Sequence, residues 1–377
     1  MSQINPAILL MTILRGGGVS VSPVLTVNFA TDDAAPLTSP YAGELGSLTI
    51  VETDGTFTVS GGVLTYTAQT TAAWGDQRFY GAGVARQAGR TLKTLFRYST
   101  AGQAVYFCAF AQSNNPGFGS AAGIDNGIAK ASGTTINYAA NAALIAGGIT
   151  FEALSSNTAY EVAVVLRSAG AFYFSKLSGS WKLMWVDAAG TTATVYPMFG
   201  NFDSAGTLDY FRVGDLPAPF TTDNGIATLN VSSPSGSYTG TADQIIEMTL
   251  TAPGSITTEA GFRFRVVDAD NYWKIYFNTS GALRVDSIEA GVATNRKNVA
   301  GVISGGQTVT LREIMSSTAQ DSYSLAGTTW TKRGSQLTND IHTTATGVAT
   351  DVGAGWTVSN FRSYPVESPQ YTILDRV

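Results

Sequence analysis

Along most of the chain, hydrophobic and polar positions alternate in short runs and do not recur with a helical spacing. Thr56-Phe-Thr-Val-Ser shows the alternation most cleanly, and it predicts a strand with one buried and one wet face. Comparable runs rich in Val, Thr, Tyr, Phe and Ile include Ser47-Leu-Thr-Ile-Val-Glu, Val63-Leu-Thr-Tyr-Thr, Ala104-Val-Tyr-Phe-Cys-Ala-Phe and Tyr160-Glu-Val-Ala-Val-Val-Leu. Pairs such as Asp54-Gly55, Gly61-Gly62 and Asn126-Gly127 separate them in the manner of hairpin turns. From Val19 onward no amphipathic stretch of helical length is found. The expected fold class is all-β, made of antiparallel sandwiches.

The pattern also repeats. Ala171-Phe-Tyr-Phe-Ser leads through a Gly turn to Trp181, and a closing strand Leu208-Asp-Tyr-Phe-Arg-Val follows. Gln320-Asp-Ser-Tyr-Ser-Leu leads likewise to Trp330, and Val358-Ser-Asn-Phe-Arg-Ser follows. Trp181 to Phe211 spans 30 positions and Trp330 to Phe361 spans 31. Pro217 and Pro219 follow the first closing strand, and Pro365 follows the second. Two tandem sandwiches are therefore expected, residues 19–218 and 219–366, joined at the stiff connector Leu216–Phe220. Trp181 and Trp330, at matched positions, are expected in the two cores. Residues 1–18 form a short apolar segment ending in Gly16-Gly17-Gly18, and residues 367–377 form a tail. Both ends are expected to tie the domains to neighbouring subunits. Packing on its own domain is an equal alternative for the first segment. No Lys or Arg precedes its apolar run, which disfavours a signal peptide, and the run is too short to span a bilayer.

Composition removes several functions. Charged residues are only 13% of the 377, and the net charge is −5, so the basic footprint of a nucleic-acid binder is missing. Cys108 is the one cysteine and can form no intrachain disulfide; its strand setting predicts a buried, inert thiol. His342 is the one histidine, which excludes the HExxH zinc motif, and it is expected as a surface or hydrogen-bonded structural residue. Arg296-Lys297 and Lys332-Arg333 are expected on solvated faces or rims.

Gly261-Phe-Arg-Phe-Arg-Val-Val-Asp-Ala-Asp-Asn-Tyr-Trp-Lys-Ile-Tyr-Phe, with the closing strands Asp209-Tyr-Phe-Arg-Val and Ser359-Asn-Phe-Arg-Ser, resembles the concanavalin A-like lectin/glucanase jelly roll, also seen in laminin-G-like modules. The resemblance spans roughly 24–215 and 221–364. Val27-Asn-Phe-Ala-Thr-Asp-Asp-Ala-Ala-Pro-Leu and Asp54-Gly-Thr-Phe-Thr-Val-Ser-Gly-Gly-Val-Leu resemble modules of tailed-bacteriophage virion proteins. The resemblance implies a jelly-roll fold that hosts lectins, hydrolases and structural domains, so it does not by itself assign a function.

The hydrolase branch implied by the resemblance carries Glu-x-Asp-x-x-Glu on one strand, and neither Glu161 nor Glu313 has acidic partners at that spacing. No phosphate-cradling loop and no serine-nucleophile elbow with a plausible triad is present either, so no enzyme and no catalytic residue is expected. Asp268, Asp270 and Asn271 cluster in one turn with oxygen ligands that suit Ca²⁺, the one cofactor considered. Their use as ordinary turn residues is the preferred reading, as it is for Asp32 and Asp33. Trp273, Tyr272 and Trp74 are the candidate sugar platforms. The first expectation is a virion structural protein, a head decoration or a tail or fibre component. Its partners would be other virion proteins in a homo-oligomer, with a trimer possible, and a cell-surface glycan; no nucleic acid and no membrane is expected. The alternative is a secreted or surface bacterial lectin-like carbohydrate-binding protein.

Overall fold

Among the described residues, alternating side chains along these runs build four antiparallel sheets, stacked in two pairs. The computed structural model describes residues 20–70, 76–99, 105–116, 122–130, 136–145, 154–177, 179–217, 220–221, 226–227, 229–231, 235–316, 319–327 and 329–377. The apolar segment 1–18, Trp74, and Ala218 and Pro219 of the 216–220 connector lie outside them. The protein is all-β, and both pairs are jelly-roll-type sandwiches. Among the described residues no helix is long and apolar enough to cross a membrane.

The repeat seen in the sequence is a repeat of topology. The front sheet of the first sandwich runs Lys182–Val186, Ala171–Lys176, Tyr160–Leu166, Arg90–Tyr98, Gly206–Asp215 and Val63–Tyr66. That of the second runs Thr329–Lys332, Ala319–Ala326, Thr308–Met315, Gln244–Thr251, Thr357–Pro365 and Leu229–Val231, position for position. The back sheets agree in the same way. Ile136–Ala140, Ile124–Lys130, Val105–Ala111 and Thr194–Asn201 correspond to Leu283–Glu289, Tyr272–Phe277, Ala260–Val266 and Gly347–Val352. Phe211 and Phe361, the matched aromatics of the closing strands, are both fully buried between their sheets. Phe211 meets Phe79 edge-on at 5.0 Å, and Phe361 meets Phe262 at 5.8 Å.

The sandwiches share buried surface. In the second front sheet Ile246, Met248 and Leu250 point inward to that sandwich's own core. Ile245, Ile314, Tyr323 and Tyr364 point outward and join the core cluster of the first sandwich. Tyr323 packs edge-on to Trp185 at 5.0 Å, and Tyr364 packs on Phe172 at 6.2 Å. Leu183 N–H donates to the Val366 carbonyl at 2.8 Å. A junction packed this way sets one orientation between the two sandwiches.

The tail folds back on its own chain, where the sequence led us to expect a tie to neighbouring subunits. Pro369–Arg376 forms a 3-10 helix over the outer face of the first front sheet. Its Tyr371 and Leu374 are fully buried, and Tyr371 meets Phe174 edge-on at 4.9 Å. Each such side chain contributes roughly 1.5–3 kcal/mol by leaving water. Lys93 Nζ donates to the Leu374 carbonyl at 2.9 Å, and burial pulls the Lys93 ammonium down to about 8.

Candidate functional site, a cleft at the junction

Where the outward face of the second front sheet leaves the cover of the first sandwich, it floors a cleft of about 400 Å³. Period-two alternation places its floor residues. Glu247 and Thr249 stand on Gln244–Thr251, and Thr310 and Arg312 stand beside them on Thr308–Met315. Two rows result. Glu247 is the cross-strand partner of both Arg312 and Arg362, so an Arg-Glu-Arg row crosses three strands. The second row joins Thr249, Thr310, Leu325 and Trp330, and the two threonine hydroxyls are 2.8 Å apart.

Arg312 is the keystone of the floor. Its Nε and Nη2 donate to Glu247 Oε1, and Nη2 also donates to the Val186 carbonyl of the first sandwich at 2.6 Å. Its guanidinium lies 4.1 Å from the Trp185 ring centre and 3.7 Å from that of Trp330, a double cation-π contact. Trp185 is fully buried, whereas Trp330 is half-buried and lines the cleft. The guanidinium thus braces an aromatic ring at the cleft wall.

The opposite wall is the segment 187–191 of the first sandwich with Arg167. Asp187 accepts from Ala189 N at 2.6 Å and from Trp185 Nε1 at 3.3 Å. Burial raises its proton affinity, and these hydrogen bonds together with Arg312 oppose the rise. A buried polar group behind the wall holds its shape. Arg86 bridges Asp125 at 2.5 Å and Asn126 at 2.9 Å, Asn126 Nδ2 donates to the Ala189 carbonyl, and Thr192 Oγ1 donates to Asp125 at 2.7 Å. Gly190 has φ +102°, and a Cβ there would stand 2.7 Å from Asn126 Oδ1, so the wall requires glycine.

The residues singled out from sequence do not meet here. Trp273 is corrected: it is fully buried, stacked on Phe264 in the second core, with Nε1 donating to the Ile341 carbonyl at 3.1 Å, so no sugar can lie on it. Its neighbour Tyr272 is half-buried on the far sheet, and the Arg263 guanidinium lies over its ring at 4.4 Å. Trp330, expected in a core, is the aromatic residue of the cleft. Trp181 is buried, under the tail, with Nε1 donating to Asp375 at 2.8 Å.

Asp268, Asp270 and Asn271 form a self-satisfied turn. Both Asp268 oxygens accept from Asn271 Nδ2, one of them also from Asp270 N, and these bonds hold the carboxyl below its ordinary range. Among the described residues no group of three or more His, Cys, Asp and Glu side chains is arranged to hold a metal ion. Asp32 and Asp33 likewise accept from Gly61 N and Thr38 N, each at 2.8 Å. His342 Nε2 contacts the Ile288 carbonyl at 3.2 Å, and burial pushes the Cys108 thiol well up. Lys297, expected on a solvated face, is buried inside the second sandwich and donates to Ser322 Oγ at 3.1 Å. Its neighbour Arg296 bonds Ser287 and Asp340, while Lys332 pairs with Asp321 and Arg333 with Ser324.

No family model and no curated protein matches the sequence. Among solved structures, the chain is similar to the carbohydrate-binding module CBM66 from Bacillus subtilis, at 14% identity over 35% of this chain and 83% of that one, TM-score 0.29. It is similar to the Caenorhabditis elegans galectin LEC-6 at 10% identity, over 35% and 93% of the two chains, TM-score 0.29. The exoplasmic/lumenal domain of VIP36, in a form bound to Ca²⁺ and Man3GlcNAc, gives 10% identity over 47% and 86%, TM-score 0.36.

Proposed function

We propose that the protein is a non-enzymatic carbohydrate-binding protein, that the cleft between its sandwiches is the binding site, and that the two domains divide near Leu216–Phe220. The observation that supports this is Trp330, braced at 3.7 Å by Arg312 beside paired threonine hydroxyls and an Arg-Glu-Arg row. A sugar ring presents an apolar C–H face and a rim of hydroxyls. An aromatic wall next to planar, hydrogen-bonding side chains matches both. Two carboxylates line the cleft, but Glu247 is bonded to Arg312 and Asp187 to Trp185 and Ala189. That commitment favours holding a saccharide over cleaving it.

A glycan microarray probed with the full chain and with Trp330→Ala tests the reading. Binding by the first and its loss in the second supports it. No binding, or equal binding by both, rejects it. The setting is a further proposal: exposure outside the cell suits a lectin, whereas the virion role rests on the resemblance of the stretches beginning at Val27 and Asp54. Mass spectrometry of density-purified particles tests the virion role, and absence of the protein would end it.

A further inference from the structure

We infer that the cleft takes an uncharged saccharide and that Asn141 and Asn360, one from each sandwich, read its hydroxyls; this rests on the saccharide-binding reading of the same cleft. The first ground is where the charges lie. Arg167, Asp187, Glu247 and Arg312 line the cleft yet are only 9%, 3%, 8% and 1% exposed. They are also engaged with one another and with the backbone. Arg167 Nη1 donates to the Asp187 carbonyl, the Asp187 carboxylate accepts from Trp185 Nε1 and Ala189 N, and Glu247 accepts from Arg312. Arg362 is half-buried, stands opposite Glu247 on the closing strand and bonds Asn230, which lies outside the cleft. A carboxylate or ammonium on the ligand would therefore leave water beside charges that already have partners, at a cost that a neutral hydroxyl does not meet.

The second ground is what the surface offers. Among the described residues, the exposed hydrogen-bonding side chains of the cleft are neutral: Asn141 and Thr191 on the first sandwich and Asn360 on the second, with Thr249 and Thr310 half-buried in the floor. A sugar hydroxyl both donates and accepts, and an amide or a threonine hydroxyl answers both needs. The third ground is the backbone. Asn141 and Asn360 are both left-handed, with φ +47° and +53°. Glycine takes that conformation without strain, and the same cleft uses it at Gly190 and Gly327, φ +102° and +67°. At the two asparagines the backbone would accept glycine, and the chain places an amide there instead. Asn360 also stands at a β-bulge, where it and Phe361 face Met248 alone on the neighbouring strand, an irregularity of the kind that re-aims a side chain.

The test uses isothermal titration of the full chain with gluco-, manno- and galacto-oligosaccharides, each beside its C6-carboxylate form, at low and at high salt. A neutral chain should bind about tenfold more tightly than its carboxylate form, and its affinity should hold as salt is raised. Asn141→Gly and Asn360→Gly keep the left-handed backbone and remove the amide. Each should weaken the neutral chain by about three- to tenfold, the range of one neutral hydrogen bond, with the melting temperature unchanged or raised. Asn360→Asp, which tolerates the same backbone and keeps the shape, should lose affinity as well. If the asparagines serve the turns alone, the glycine variants bind as the natural chain does, and their assignment is overturned. A carboxylate form that binds as tightly as its neutral partner, or an affinity that falls steeply with salt, overturns the neutral selectivity while leaving saccharide binding in place. Failure of both forms of every series to bind overturns the selectivity and counts against the saccharide reading as well.

Discussion

Glu313 provides a sharp energetic test of the second sandwich. It stands on the inward face of Thr308–Met315, opposite Ser322 and Ile246, and is fully buried. Burial pushes its carboxyl from 4.5 up to about 7, against the pull of Lys297 and Ser322 and with a further push from Asp321. The folded-state value lies above the unfolded one. Below about 4.5 the group is protonated in both states and costs nothing by linkage. As pH rises toward 7 the unfolded chain releases the proton first, and stability falls. Above 7 the full difference persists. At about 1.4 kcal/mol per tenfold change in proton affinity, it is roughly 3 kcal/mol. Glu313→Gln removes the titration while keeping the shape. Urea unfolding of both proteins between pH 4.5 and pH 8.5 should show the variant gaining on the natural protein, mostly below pH 7, to a lead of up to roughly 3 kcal/mol. A difference that does not change with pH would refute the argument, as would a variant less stable at pH 8.5.

Three further outcomes follow from the packing. Arg312→Met leaves buried Glu247 without the guanidinium it is hydrogen-bonded to and should cost about 3–5 kcal/mol in urea unfolding, most of it recovered when Glu247→Leu is added. Trp273→Ala opens a cavity in the second core and should cost about 3–5 kcal/mol while the folded fraction still binds saccharide; Trp330→Ala should reverse that pattern, binding lost and stability changed far less. Calcium addition followed by a chelator should leave the melting temperature unchanged, because the Asp268 carboxylate is spent within its own turn; a rise of several degrees with calcium would place a cation there.

Much of the architecture is legible in the sequence because strand alternation and the repeated hairpin are local signals. The matched spacings from Trp181 to Phe211 and from Trp330 to Phe361 correspond to the same edge hairpin and closing strand in two sheets that share six strands in the same order. The site is not local. Trp181 and Trp330 share a sequence context, yet the tail covers the first while the second faces another sandwich. Only the docking of the two units separates a core residue from a cleft residue. The cleft's charges follow the same logic: Arg167 and Arg312 are distant in sequence and meet only at the junction. Trp273 is different, because alternation alone places it with Ile275 and Phe277 on the buried side of its strand, and that signal was available. Lys297 gives no such warning, since a cation inside a sandwich runs against burial preference and is sustained here by Ser322 and the nearby Glu313.

The central claim is that the junction cleft is where a saccharide binds. A crystal structure of the full chain with the tightest-binding oligosaccharide from the microarray tests it most directly. The account predicts a sugar ring against Trp330, between segment 187–191 and the row of Arg312, Glu247 and Arg362. A saccharide bound at any other surface, with the cleft holding only water, would contradict it.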